Sequence, residues 1–282
     1  MEEYYFLFFV AFLYVIFASV QDLRKREVAD WLTFSLIVFA LAYRAFYSAV
    51  EDKYNFFVLG LAGFAFFFVL AHLFYYGKVF AGGDAKLLMG FGAILPLESF
   101  GDILINSMVF ILILFSSGLI YSLAYSFFII SENKNFFPRA FSKEIREKKY
   151  MLYGSVLLFV FFFSAIIFYN FPVFSIIFSV VPLLYIYLRA FEKSCMIKIV
   201  PANRVGIGDW LEKDIVISGR KIRKSVHGLS KEDVKAIRKS GKRVMIKYGV
   251  PFVPAFLITH IVMVSFYLFL KNDLRAIFYF LF

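Results

Sequence analysis

The sequence predicts an all-α polytopic membrane protein: about eight transmembrane helices and a small cytosolic α+β insert. Three observations predict this. Hydrophobic residues make up 62% of the 282 residues and charged residues only 18%, more apolar surface than a soluble domain of this size could bury. Apolar runs of about 20 residues, enough to cross a bilayer's hydrocarbon core, recur along the chain. Lysine and arginine gather in every second connection, the asymmetry of a protein with its basic loops in the cytosol.

The runs fall at 4–20, 31–49, 55–76, 105–130, 151–169, 171–191 and 250–270. Met1-Glu2-Glu3 is acidic where a signal peptide would be basic, so the first run is expected to be retained as a span. An eighth span, 84–97, is short and Gly-rich, and topology argues for it. With it, 21–30, 77–86, 131–150 and 192–249 share one side, and they hold Arg24 to Arg26, Lys78, Lys86 and most of the remaining basic residues. The other side holds Lys53, Lys271 and Arg275. Without it, every later basic loop would lie outside.

The expected organisation is a membrane domain over 1–130, a basic cytosolic loop over 131–150, two further spans over 151–191, a cytosolic insert over 192–249, and a final span with a short outer tail over 250–282. The insert reads as β-like pieces at Met196–Val200, Asp214–Ser218 and Arg243–Lys247, with a helix-like run from Ser230 to Lys239. Ser230 and Asp233 fit an N-cap and an acidic first turn, and Gly241 a stop. No internal repeat is evident.

One cysteine, Cys195, permits no internal disulfide, and His72, His227 and His260 lack metal-ligand spacing. No metal and no cofactor are expected. The net charge of +11 points to anionic lipid headgroups before nucleic acid.

Asp22 and Asp84 carry the chemistry. Each stands at the cytosolic end of an expected span, where an acidic side chain is costly and usually functional. Paired carboxylates can hydrolyse a peptide bond around one water: the ionised one accepts its proton and the protonated one donates to the carbonyl oxygen. Two neighbouring like charges resist double ionisation and so share a proton. Gly82 and Gly83, just before Asp84, would let a substrate backbone approach closely. Structural alternatives stand beside these. Asp22 could balance Arg24 to Arg26 at the headgroups, and Asp84 could cap a helix.

Asp22 followed by a basic turn, then Gly82-Gly83-Asp84-Ala85-Lys86-Leu87-Leu88, resembles the type IV prepilin peptidase family, its archaeal preflagellin branch most closely. Ala18-Ser19-Val20-Gln21-Asp22 and Glu27 to Trp31 also fit, as does the Pro-rich start of the last span, Val250 to Leu257. The resemblance covers about the first 100 residues well and the final span loosely. It implies that Asp22 and Asp84 are the catalytic acids of a Gly-x-Gly-Asp membrane aspartic endopeptidase. The implied substrates are preflagellins or prepilin-like precursors with a basic leader and an apolar helix, cut at the cytosolic face of the cell membrane. Ala81 replaces the motif's first Gly, and no cysteine-rich N-terminal region suggests the methylation activity of bacterial members.

Gly206-Ile207-Gly208-Asp209 matches the motif letter for letter but lies in the polar insert, where two glycines readily make a turn. Asp30 is expected to cap the second helix beside interfacial Trp31. Lys86 could tune the acids, bind a substrate carboxylate or meet a headgroup. His72 reads as a packing residue, and Arg44 as snorkelling outward. The 131–150 loop is an anchor that could also steer leaders. The alternatives to a protease are a transporter binding ions or protons at the same two acids, and a non-catalytic scaffold.

Overall fold

A computed structural model describes residues 3–132, 134–169, 175, 177–217, 219–225 and 228–270. His227, Ser218, Lys271 and Arg275 lie outside the described residues. The chain divides into two compact units: Met1–Ala124 with Val250–Phe282, and Tyr125–Gly249.

In the first unit, α1 (Glu3–Lys25), α2 (Asp30–Val50), α3 (Tyr54–Tyr76), α4 (Gly82–Ile94) and the first part of α5 (Phe100–Glu132) pack with α10 (Val253–Phe269) around one aromatic-rich core. The helices α1, α2, α3 and α5 are long and apolar enough to cross a membrane. At 13 residues, α4 measures about 20 Å, well short of a bilayer core of about 30 Å. From Leu87 to Ile94 every residue of α4 but Met89 is buried. A helix apolar all round belongs inside a bundle. Glycines allow it to sit there: a Cβ on Gly63 of α3 would stand 2.5 Å from the Gly92 carbonyl oxygen, and one on Gly92 2.6 Å from that of Gly63.

Arg44 corrects the expectation that it snorkels outward. It is wholly buried, and its guanidinium donates to the carbonyls of Ala93, Leu95 and Phe56 at 2.6, 2.7 and 2.8 Å. The Phe56 ring lies 4.4 Å beneath it. Backbone carbonyls at the end of a helix need donors, and lipid offers none. Arg44 supplies them, so α4 can stop within the bundle. Tyr4 Oη donates to the Leu97 carbonyl and accepts the Leu97 N–H. Asn106 donates to the Pro96 carbonyl, and the Asp102 carboxylate accepts from the N–H groups of Glu98 and Ser99. The connection from α4 to α5 thus has its polar backbone satisfied by side chains.

The second unit continues α5 and adds α6 (Phe137–Glu147), α7 (Lys149–Tyr169), α8 (Ile177–Phe191), a π-helical turn (Glu192–Met196) and the insert. The segment expected as a basic loop contains α6, an amphipathic helix whose Phe137 rests on Tyr187 and whose buried Glu144 pairs with Lys193. α7 is the fifth helix long and apolar enough to cross. The chain is a multi-pass membrane protein, with five such helices among the described residues against the eight expected; α4, α8 and α10 are shorter.

The insert contains β1 (Ile197–Val200), β2 (Trp210–Leu211), β3 (Ile215–Ile217), β4 (Arg220–Ile222), α9 (Lys231–Ser240) and β5 (Val244–Lys247). β5 pairs antiparallel with both β1 and β2, and β3 with β4. α9 opens on a capping box between Ser230 and Asp233 and closes on Gly241 in the left-handed region, φ 65°. β1, β3 and β5 fall at the three predicted β pieces. β2 and β4, two and three residues long, carry too little pattern to be read in advance.

Candidate active site

Val15, Ala18, Ser19 and Asp22 form one buried stripe along α1, at helical spacing. Asp22 is 7% exposed, and its Oδ2 accepts the backbone N–H of Val253 at 2.9 Å. The Phe252 N–H is a second donor to the same carboxyl. Val253 is the first residue of α10, and Pro254 after it has no N–H. Asp22 therefore takes the free donors of a helix N-terminus, the usual place for an anion.

Asp84 is the third residue of α4, half-buried, with its carboxyl accepting from the Ala81 backbone. That bond to the N-cap residue is half of a capping box; Ala81, and not Asp84, is the N-cap, and Asp84 supports the helix start from its third position. The Asp22 charge acts on Asp84, so the two acids, 62 positions apart in sequence, lie within electrostatic reach. The termini of two helices, α4 and α10, thus supply backbone donors to one carboxylate pair.

Packing explains the juxtaposition. A Cβ on Gly83 would lie 3.5 Å from that of Val28, so the start of α4 rests on the connection between α1 and α2. Gln21, beside Asp22, braces that connection by accepting the Ala29 N–H. Phe80, just before α4, is buried against Phe252 and Phe256 of the α10 start, at ring separations of 5.6 and 6.0 Å. Phe252 in turn needs Gly118 of α5, where a Cβ would stand 2.6 Å from its ring.

The remaining predicted site residues fall as follows. Gly82 and Gly83 are the first two residues of α4, helical and with neither at positive φ. Lys86 pairs with Asp30 at 2.5 Å, joining α4 to α2, and lies over the Phe34 ring. Ala29, and not Asp30, is the N-cap of α2, without a side-chain cap bond. His72 bonds the Phe68 carbonyl of its own helix, and buried His260 bonds that of Phe8. Asp209 closes a turn: its Oδ2 accepts the Gly206 N–H at 2.7 Å, and Gly208 has φ 86°. No metal-holding group occurs among the described residues.

Sequence reasoning missed two features. Val253 and Phe252 donate to Asp22 through the backbone, which no side-chain pattern announces. Ser19, one turn before Asp22, is buried with its hydroxyl unpartnered in the described structure; a buried Ser three residues before a buried acid was the available signal.

Residues 7–130, which include both aspartates, match the model of the type IV leader peptidase family. Preflagellin peptidases of Methanococcus maripaludis and Methanocaldococcus jannaschii are each 33% identical to the chain over 89 residues, and that of Methanococcus voltae 26% over 91. The first two matches cover 32% of this chain and 38% of each relative, so the chain spans about two fifths of the relatives' length. No solved structure matches.

Proposed function

We propose that the chain is a membrane aspartic endopeptidase that removes the short basic leader from preflagellins or type IV prepilin-like precursors. One observation carries the reading: Asp22 and Asp84 interact although they come from different helices, and both lie in the stretch shared with the leader peptidase family. The proposed setting is the cytoplasmic membrane, with about eight spans, the shorter α4, α8 and α10 among them, and the carboxylates at the cytosolic face. The basic loops support that orientation.

In the proposed reaction the two acids hold one proton between them. The ionised carboxylate takes a proton from a water as its oxygen attacks the scissile carbonyl carbon. The protonated acid donates to the carbonyl oxygen. Collapse of the tetrahedral intermediate breaks the C–N bond, and the departing nitrogen takes a proton from the pair. Gly82 and Gly83 would face an extended substrate backbone. Lys86 stands two residues after Asp84 on α4 and holds Asp30 of α2; in the proposed site Asp30 exchanges Lys86 for a basic leader residue, and Lys86 binds a substrate carboxylate or carbonyl. Anionic headgroups would meet the basic loops.

The test is cleavage of a precursor in reconstituted membranes by Asp22→Asn, Asp84→Asn, Asp30→Ala and Asp209→Ala variants. Both Asn variants should lose cleavage while remaining inserted, Asp209→Ala should retain it, and Asp30→Ala should still cut but with a raised KM for a precursor with a basic leader. Full activity in either Asn variant ends the reading. Ion flux that depends on the same two acids, without cleavage, would favour a transporter.

A further inference from the structure

The insert's three-stranded sheet has a buried apolar face and, on the opposite face, an exposed apolar patch. Val200, Leu211, Val244 and Ile246 face the insert's own core. The other face carries Ile199 and Met245, directly paired and 64% and 43% exposed, with Trp210 at 38%. An antiparallel sheet with one buried face ordinarily turns polar residues outward, and clustered exposed apolar groups mark a contact surface. We propose that this face seats on the headgroup region of an anionic lipid bilayer.

The position of the sheet supports lipid as the occupant. β1 begins at Ile197, one residue beyond the π-helical turn that continues α8 without a linker. The junction is braced: Tyr248 donates its N–H to the Met196 carbonyl at 2.9 Å, and Lys247 pairs with Glu192 of the turn. Ile197 and Trp210 both pair with Lys247, so Trp210 marks the tethered end of the sheet. Ile199 and Met245 follow about 7 Å further along. The apolar end of α8 closes on Arg189 and is joined by Lys148, which donates to Tyr185. That basic belt is what a helix end presents to headgroups.

Charge selects the lipid. Segment 192–249 has 15 Lys and Arg against 6 Asp and Glu, a net of +9 out of the chain's +11. Exposed Lys213, Lys242 and Arg243 flank the strands of the sheet, with Glu212 beside Met245 at its far end. A tryptophan and branched aliphatic residues framed by lysine and arginine are interfacial chemistry, and each cation near an anionic surface adds attraction. This seat is independent of the proteolytic reading.

The chain has two tryptophans, so Trp31→Phe leaves Trp210 as the sole tryptophan, which red-edge excitation reads apart from the tyrosines. The full-length variant is placed in nanodiscs of phosphatidylcholine, with or without phosphatidylglycerol, containing lipid brominated near the headgroup. With phosphatidylglycerol, Trp210 emission should shift to the blue and be quenched about twofold or more, and high salt should reverse this. Adding Ile199→Ser with Met245→Ser should abolish the quenching. Ile207→Ser, at an exposed insert residue off the sheet, should preserve it and controls for folding. Trp210 that stays open to aqueous iodide in the acidic discs overturns the proposal. So does equal protection in neutral discs, or protection that appears only when a precursor protein is added.

Discussion

Asp22 Oδ2 accepts the backbone N–H of Val253, 231 residues further along the chain, at 2.9 Å. The first and last described helices of the membrane bundle therefore meet at the acid proposed to be catalytic. Removing this carboxyl removes both the proposed chemistry and a helix cap. Asp22→Asn keeps an oxygen for the Val253 N–H and should be inactive but near wild-type in thermal stability. Asp22→Ala should be equally inactive and less stable by about 1–3 kcal/mol, because buried donors lose their acceptor. Melting in detergent alongside cleavage separates the two effects.

Gly118 offers a distant test of the same anchor. A side chain there drives into the Phe252 ring, and Phe252 lies in the segment that donates to Asp22. Gly118→Val should cost about 1–3 kcal/mol through overpacking and lower cleavage by more than its effect on folding. Phe252→Ala in the same background should restore part of the loss. A fully active Gly118→Val enzyme would show that the anchor does not govern the acids.

Arg44→Met should destabilise the first unit by about 3 kcal/mol or more, since three buried carbonyls lose their donors while side-chain bulk is kept. Gly60→Ala should do comparable harm: its Cβ would stand 2.2 Å from Arg44 Cδ. Thermal unfolding reads both, and Gly83→Ala, whose Cβ meets only ordinary contacts, is the control that should melt like wild type.

Glu192 gives the insert junction a pH dependence. Partial burial pushes its carboxyl up, but Lys247 and Arg189 outweigh that and hold it below its ordinary 4.5. A carboxyl held low contributes stability that is present above its ordinary pKa and is lost as the pH falls through and below 4.5. The protection factors of the β1 and β5 amides, taken relative to the intrinsic exchange rate at each pH, should therefore fall under acid. Glu192→Gln should show reduced protection already at neutral pH and little further change on acidification.

Much of this was legible because it is local. Ser230, Asp233 and Gly241 announce α9 within twelve residues, and Asp22 and Asp84 stand out as acids at the ends of apolar runs. The literal motif at Asp209 resolves into a turn, as its polar setting suggested. What escaped was long-range or carried by the backbone. Arg44 looks like any arginine in a span, since its carbonyl partners at the end of α4 and just beyond it lie 49 and 51 residues away. The donors to Asp22 are amide groups that every non-proline residue owns. The helix within 131–150 was hidden because lysines and arginines that mark a cytosolic loop equally clothe the polar side of an interfacial helix.

The burial of α4 has a consequence for the setting of the proposed chemistry. A helix in contact with lipid tilts or shifts when bilayer thickness changes. From Leu87 onward α4 is instead enclosed by protein and fastened at its far end by Arg44. The depth of Asp84 is accordingly set by a ruler made of protein, 13 residues long, whose zero mark is a guanidinium. Membranes of different thickness would move the outer helices and leave the acid at the same height.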